Sequence, residues 1–213
     1  MEFEEFPKMA RLSRDVIITE KIDGTNAQIL IVQSLAPEEG AIAHKSLGTA
    51  GDLSMFAGSR TRYITPESDN FGFARWAKEH AEELFQLGPG RHFGEWWGQG
   101  VQRGYGLTEK RFSLFNVQRW CNWSEEPREI PTGDPRVTRT QERAPTCCSV
   151  VPILFEGLFQ TMKVDHMIER LRHEGSLAAP GFMKPEGVVV YHKACGTLFK
   201  KTLEKDEQPK GQK

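Results

Sequence analysis

The sequence predicts a mixed α+β fold that is dominated by antiparallel β-sheet. Short runs of β-branched and aromatic residues recur along the 213-residue chain and are separated by Gly, Pro, Asn and Asp, as in strands joined by turns. Only two segments show the 3–4 apolar spacing of an amphipathic helix. A chain in which strands outnumber helices in this way is typical of sheet-based α+β proteins.

Six segments are predicted to be strands. The first two, at 15–20 and 27–33, flank the sequence DGTN at 23–26, which predicts a pair of strands around a turn. The same composition predicts four further strands, at residues 91–97, 111–118, 186–192 and 196–201.

Two segments are predicted to be helices. The first runs over 70–87, with Asp69 as a candidate cap before it and Gly88 as the residue that ends it. The second runs over 162–173 and is ended by Gly175. In the first the apolar residues recur at 3–4 spacing, and in the second they lie on one side.

The predicted elements belong to one domain, which also contains an irregular segment and is followed by a tail. The length fits one domain of ~100–200 residues, which we place at 1–204. Residues 122–146 are rich in Arg, Glu, Pro and Thr, and four prolines break any regular element, so a surface loop or insertion is predicted there. The Lys-, Gln- and Pro-containing segment 205–213 is predicted to be a flexible tail.

Charge and hydropathy limit the function classes. The chain has 28 Lys+Arg and 29 Asp+Glu, which excludes binding of nucleic acid by bulk positive charge but leaves room for a local basic groove. The acidic N-terminus lacks the apolar run of a signal peptide, and no apolar stretch approaches the ~20 residues of a membrane span. We therefore expect a cytoplasmic protein that does not bind membranes.

The first cluster with chemical meaning is EKIDGTN at 20–26. It places Lys21 at a strand end, followed by an acid and a glycine turn. A lysine beside other cations loses part of its affinity for the proton and becomes a nucleophilic amine. Taken alone, however, the same four residues K-x-D-G also fit a solvated turn.

Four further clusters add candidate ligands for a phosphorylated substrate. GSRTR at 58–62 places two arginines after a small-residue turn, which suits phosphate or sugar. FGEWWG at 93–98 and EGVVV at 186–190 each place one acid on an otherwise apolar strand, where an acid is costly unless it is paired or used. TLFKKT at 197–202 ends a strand with two cations.

These clusters together resemble the motifs of a known superfamily. In chain order from Lys21 to Lys201, K-x-D-G, S-R, F-G-E, E-G-V-V-V and F-K-K resemble motifs I, Ia, III, IV and V of the covalent nucleotidyltransferases. These are the ATP-dependent DNA ligases, the RNA ligases and the mRNA capping enzymes. Asn26 stands where DNA ligases and capping enzymes usually carry arginine, so motif I resembles the RNA ligase 2 type. The segment 112–117 resembles the F-D-I segment of RNA ligases, with Asn116 in place of the acid.

The resemblance implies a fold, a reaction and its cofactors. The fold would be an adenylyltransferase (ATP-grasp-like nucleotidyltransferase) domain of antiparallel sheets flanked by helices; twelve residues follow Lys201, so no C-terminal OB domain is expected. The reaction would be ATP-dependent joining of 5′-phosphate and 3′-hydroxyl RNA ends, as in RNA repair. It would proceed through AMP covalently bound to Lys21 and then through an adenylylated RNA end, with Mg²⁺ or Mn²⁺.

The resemblance also implies roles for individual residues. Lys21 would be the nucleophile, Glu95 the acid that binds ribose, and Phe115 the aromatic that stacks on adenine. Glu186 would also bind the divalent cation, because Mg²⁺ prefers oxygen ligands. The residues expected to bind the nucleotide are Glu20, Ile22, Asn26, Arg60, Glu95, Phe115, Glu186, Lys200 and Lys201.

Some alternatives stay open at this level. Glu20 either faces the adenine or is a solvated strand end, and Phe115 is either a base platform or a core residue. Of the two adjacent lysines we favour Lys200 as the phosphate contact, since it directly follows Phe199. The expected partner is nucleic acid in the form of RNA ends, a nicked duplex among them.

Two other functions compete with RNA ligation. A minimal DNA nick ligase would use the same chemistry, but Asn26 and the short chain argue against it. A catalytically inactive nucleotide- or RNA-binding module would use the same cleft, but such a relic need not retain Lys21, Glu95, Glu186 and Lys200.

Overall fold

A computed structural model describes residues 2–33, 45–121, 144–204 and 206. Its strands are, in chain order, β1 (Asp15–Lys21), β2 (Thr25–Gln33), β3 (Gly48–Ala50), β4 (Leu53–Ser59), β5 (Tyr63–Ile64), β6 (Gly90–Gly98), β7 (Lys110–Leu114), β8 (Cys148–Val150), β9 (Ile153–Leu158), β10 (Gly187–His192) and β11 (Thr197–Thr202). Its α-helices are α1 (Phe73–Glu79), α2 (Ala81–Leu84), α3 (Val117–Trp120) and α4 (Thr161–Glu174), and a 3₁₀ turn covers Phe85–Leu87.

The strands form two sheets. The first sheet has the order β11-β10-β1-β9 and is antiparallel throughout. The second has the order β3-β4-β2-β6-β7-β8, with β5 paired to β4, and is antiparallel except for the parallel pair β7–β8. The sheet-rich α+β class predicted from the sequence is confirmed.

Strand alternation divides the core into two clusters. Neighbouring residues of a strand point to opposite faces of the sheet. On β1, Val16 and Ile18 therefore belong to the cluster that packs on α4, whereas Ile17 belongs to the larger cluster shared with the second sheet. The first sheet is thus covered by a helix on one face, and its other face is directed toward the second sheet.

The first predicted helix differs from expectation at its start and in its middle. It begins at Phe73 instead of residue 70 and is interrupted at His80, whose φ of −106° and ψ of 22° are not helical. The N-cap residue is Gly72, but Asp69 still serves the helix start, because its carboxylate accepts the backbone N–H groups of Ala74 (2.8 Å) and Arg75 (3.1 Å).

The predicted strand 111–118 also ends early, at Leu114. The side chain of Asn116 accepts the backbone N–H of Arg119 at 3.1 Å and so starts the short helix α3. Five strands were not predicted from the sequence: β3, β4, β5, β8 and β9. β4 has the sequence LSMFAGS, whose Gly, Ala and Ser are not typical strand residues. Its side chains are buried on both faces, so it also lacks the alternation of apolar and polar residues that predicts a strand.

Two predicted segments fall largely outside the described residues. The surface loop at 122–146 is described only from 144 onward, and of the tail at 205–213 only Asp206 is described, so both interpretations stay predictions. Within the described part of the chain, no helix is long and apolar enough to cross a membrane.

Candidate active site

A cleft of about 910 Å³ is lined by residues of both sheets. The predicted site residues that line it are Glu20, Lys21, Ile22, Asn26, Arg60, Glu95, Phe115 and Lys200. Glu186 contacts Lys21 directly, and Lys201 lies elsewhere.

Lys21 lies at the end of β1, where that strand pairs with the start of β10. Its register partner is Gly187, so Glu186 directly precedes the partner strand. Lys21 Nζ donates to Glu186 Oε2 at 2.5 Å, and the Glu186 side chain is only 5% exposed. The candidate nucleophile is therefore held in an ion pair with a nearly buried carboxylate.

Glu95 holds the turn that follows Lys21. Its two carboxylate oxygens accept the backbone N–H of Gly24 (3.0 Å) and the side-chain amide of Asn26 (3.1 Å). Burial raises the pKa of Glu95 to about 7, against the opposing effect of the nearby Lys21 charge. This carboxyl therefore retains its proton to higher pH than an exposed glutamate does.

The close fit of this turn explains the glycine in K-x-D-G. A Cβ on Gly24 would lie 2.4 Å from the backbone oxygen of Trp96 and 2.7 Å from the Cβ of Trp97. Real Cβ atoms do not approach backbone so closely, so only glycine lets the turn lie against β6.

Glu20 is not the solvated strand end considered above. It is buried, and its carboxylate accepts the Ser176 hydroxyl (2.5 Å) and the backbone N–H groups of Leu177 (2.8 Å) and Ala178 (2.9 Å). Burial raises the pKa of Glu20, and these three donors oppose the rise. The carboxylate anchors the segment after α4 to the strand that carries Lys21.

The two adjacent lysines of β11 point to opposite faces of the first sheet. Lys200 pairs with Val189 and lines the cleft together with it. Lys201 pairs with Val188 on the α4 side, and its Nζ donates to Asp165 of α4 at 2.6 Å. The structure therefore brings Lys200 to the cleft and directs Lys201 to the helix, away from the site in which the sequence analysis had also placed it.

The other predicted ligands lie around the cleft wall. Phe115 is 39% exposed, so it is not a core residue and its ring is accessible from the cleft. Arg60 also lines the cleft, whereas Arg62 donates to the Ser68 hydroxyl (2.9 Å) and to backbone oxygens beside it. Ile22 is almost fully buried and anchors the turn in the larger core cluster.

Two further cations line the cleft and were not predicted. Arg91 donates to the Gln28 side chain and, at 3.3 Å, to the Tyr63 hydroxyl. Arg119 donates to the backbone oxygen of Leu87 at 2.7 Å. Arg91 lies two and four residues before Phe93 and Glu95, so strand alternation alone could have placed it on the same face. No sequence pattern of this kind predicts that Arg119 lies at the cleft.

The described residues contain no group of three or more His, Cys, Asp or Glu side chains that could hold a metal ion by themselves. Glu186 is instead a single carboxylate beside Lys21. This suits Mg²⁺ or Mn²⁺ bound together with a phosphorylated substrate, since Mg²⁺ uses one or two carboxylates, substrate phosphates and waters.

Comparison with known proteins gives a family and a fold. The model of the RNA ligase family matches residues 14–202. A sequence search of curated proteins finds no match.

Among solved structures, the chain is similar to mutants of an RNA ligase from Naegleria gruberi. One mutant with ATP and Mn has a TM-score of 0.53 at 19% identity over 92% of this chain and 53% of that chain. Another with ATP and Mn has a TM-score of 0.52 at 17% identity over 92% and 52%. A third with AMP and Mn has a TM-score of 0.51 at 16% identity over 93% and 53%. The shared fold confirms the predicted nucleotidyltransferase architecture, and the chain spans about half the length of these structures.

Proposed function

The chain belongs to the RNA ligase family, and from this premise we propose that it is an ATP-dependent RNA ligase that joins 5′-phosphate and 3′-hydroxyl ends through lysyl-AMP. The observation that carries the proposal is the position of Lys21, whose amine lies at a strand end in a cleft lined by Lys200, Arg60 and the accessible ring of Phe115. The Naegleria gruberi ligase mutants solved with ATP or AMP and Mn support the choice of nucleotide.

In the first step Lys21 Nζ attacks the α-phosphorus of ATP. A nitrogen–phosphorus bond forms and the bond to pyrophosphate breaks, so the amine must first lose a proton. The nearest acceptor for that proton is Glu186 Oε2, at 2.5 Å. Lys200, on the same wall of the cleft, offsets negative charge as it develops on the phosphate.

The rest of the cleft suits the nucleoside. Phe115 offers its ring to the adenine, and a base stacked on an aromatic ring gains ~1–3 kcal/mol. Glu95 lies on β6 against the turn that follows Lys21, and its carboxyl, whose pKa burial raises to about 7, suits the ribose hydroxyls. Arg60 lies at the rim, where a ribose or a substrate phosphate would pass.

A divalent cation fits the site through Glu186 and the phosphates of ATP. Such a cation neutralises phosphate charge and orients the leaving group. The protein's own contribution is the carboxylate, which is held nearly buried at the start of β10.

Two steps complete the reaction. An oxygen of an RNA 5′-phosphate attacks the lysyl-AMP phosphorus, the nitrogen–phosphorus bond breaks, Lys21 leaves as an amine that takes up a proton, and the end becomes adenylylated. A 3′-hydroxyl then attacks the 5′-phosphorus; its proton is lost to solvent, a phosphodiester forms and the bond to AMP breaks, so that AMP leaves. Besides Lys21, four cations of the described residues line the cleft and can hold the RNA phosphates: Arg60, Arg91, Arg119 and Lys200.

The first experiment tests the nucleophile. With α-labelled ATP and Mg²⁺ or Mn²⁺, the protein should acquire an acid-labile covalent label that Lys21→Ala abolishes. Lys193→Ala is the matched control, because Lys193 also forms a 2.5 Å ion pair, with Glu156, but lies outside the cleft. Labelling by GTP and not by ATP would contradict the ligase proposal, and labelling of Lys21→Ala at the parent level would contradict the choice of nucleophile.

The second experiment tests the substrate. Nicked duplexes with RNA or DNA on the 3′-hydroxyl side should be sealed faster when that strand is RNA. Equal sealing of all-DNA nicks would favour a DNA nick ligase. Failure both to form lysyl-AMP and to seal any end would favour an inactive binding module.

A further inference from the structure

The reacting pair lies where regular strand pairing stops. The ladder between β1 and β10 ends at Lys21 and Gly187. The residue before Glu186 is Pro185, which has no backbone N–H and so cannot extend the ladder. Unpaired strand ends open most easily. Glu186 is held on its other side, where its backbone oxygen accepts the N–H of Leu203 at 2.9 Å, so a contact that spans both chain segments would fix Lys21 relative to Glu186.

Arg103 supplies a bridge across this open end. Its Nε donates to Asp23 Oδ2 at 2.9 Å, two residues after Lys21. Its Nη1 donates to the backbone oxygens of Lys184 (2.8 Å) and Pro185 (3.3 Å), directly before Glu186. One guanidinium therefore ties both chain segments together just beyond the last ladder pair.

The loop that carries Arg103 is built around unusual backbone. Between β6 and β7, Gln102 (φ 46°) and Tyr105 (φ 53°) adopt positive φ without being glycine, among three glycines that also have positive φ. Such residues cost of order 1–3 kcal/mol each and persist where the surrounding structure holds them.

Tyr105 shows what holds the loop. It is buried, its ring lies 4.5 Å from that of Phe182, and its hydroxyl accepts the backbone N–H of Asp23 at 2.8 Å. Burial raises the pKa of Tyr105 above its usual value, so the hydroxyl stays protonated. Asp23 is therefore hydrogen-bonded at its backbone N–H to Tyr105 and at its carboxylate to Arg103.

We infer that Arg103 is a positioning residue for lysyl-AMP formation, which fixes the Lys21 turn against the Glu186 segment. The inference rests on the proposed function. A lysine cannot replace this arginine fully, because the bridge needs a planar fork that reaches one carboxylate and two carbonyls in different directions. Arg103 pairs with the Asp23 carboxylate, and Lys21 pairs with Glu186, so the two ion pairs lie on the two segments that Arg103 joins.

A positioning role for Arg103 predicts a selective loss of one reaction step, which a general loss of protein stability would not produce. Only the first step uses Lys21 as a nucleophile. A 5′ end that is already adenylylated bypasses that step and needs only attack by the 3′-hydroxyl. Loss of Arg103 should therefore slow lysyl-AMP formation far more than it slows sealing of pre-adenylylated RNA.

The test compares Arg103→Ala, Arg103→Lys and Asp23→Asn with the parent, using single-turnover labelling by ATP and sealing of RNA with a pre-adenylylated 5′ end. Misplacement of a reacting group by ~1 Å can cost about 100-fold, and Arg103→Ala should slow the maximal labelling rate by about that factor. The ATP concentration at half-saturation should change little. Arg103→Lys should recover part of the rate, and Asp23→Asn, which keeps the shape of the side chain, should lose a smaller factor. The control is Arg111→Ala, since Arg111 pairs with Glu109 at the base of the same loop.

Several outcomes would overturn the inference. A parent-like labelling rate in Arg103→Ala would do so, as would an equal loss in labelling and in sealing of pre-adenylylated ends. If Arg103→Ala does not fold, the same two rates in Arg103→Lys and Asp23→Asn decide. Absence of labelling in the parent would instead contradict the proposed function itself, so the two failures are distinguishable.

Discussion

Replacing each of the two adjacent lysines of β11 by alanine should separate catalysis from stability. Both substitutions remove one positive charge from neighbouring positions, so each is the charge-matched control of the other. Lys200→Ala removes a cation from the cleft, whereas Lys201→Ala removes the partner of Asp165 on α4.

The expected magnitudes follow from the two environments. Losing a group that stabilises developing negative charge typically costs ~100- to 1,000-fold in rate, which we expect for lysyl-AMP formation in Lys200→Ala. The Lys201–Asp165 pair has side chains that are 40% and 51% exposed, so its loss should cost at most about 1 kcal/mol of stability. The labelling rate of Lys201→Ala should stay within a few-fold of the parent.

Single-turnover labelling with ATP and urea unfolding measure the two effects. A strong loss of labelling in Lys201→Ala with parent-like labelling in Lys200→Ala would refute the assignment of faces. Equal losses in both would show that net charge near the cleft, and not one placed lysine, accelerates the step.

Three further predictions concern the support of the site. The pKa of Glu95 is raised to about 7, so the native state keeps a proton that the unfolded chain releases above about pH 4.5, and the free energy of unfolding should fall by up to about 3 kcal/mol as pH rises through this window. Urea unfolding at pH 5 and 8 should show a smaller fall for Glu95→Gln than for the parent. An equal fall in both proteins would contradict the assignment to Glu95. Gly24→Ala should destabilise the fold by ~1–3 kcal/mol and abolish labelling, because its Cβ would meet Trp96 backbone; parent-like labelling would contradict this. Asp69→Ala should cost ~0.5–2 kcal/mol in thermal unfolding while labelling persists, and an unchanged melting temperature would contradict the role of Asp69 at the helix start.

The sequence was sufficient for the part of the site that depends on local pattern. Lys21 followed by Gly24 reads as a strand end and a tight turn, and the structure shows both. The choice of Lys200 over Lys201 is consistent with strand alternation, because neighbouring residues must face opposite sides of the sheet.

Long-range partners were not accessible in this way. Glu20 could not be assigned from its neighbours, because its donors lie more than 150 positions away, in the segment after α4. Arg103 lies 80 positions from Asp23 and 81 from Lys184, and its loop contains no local pattern that points to either. Such contacts depend on how two sheets meet, which local periodicity does not encode.

The chain is almost neutral overall, yet cations line its cleft. The contacts of the buried acids explain how both can hold. The cleft region holds three buried carboxyls, and each is engaged: Glu20 by three donors, Glu95 by two, and Glu186 by the Lys21 ammonium. Burial in addition raises the pKa of Glu95 to about 7, so this carboxyl ionises less readily than an exposed glutamate. The cations of the cleft are instead placed at its wall and rim, where a triphosphate or an RNA backbone would meet them. A formal net charge of −1 over the whole chain therefore gives no measure of the field in the cleft, because the buried acids there are compensated by the donors they contact, whereas lysines and arginines line the cleft.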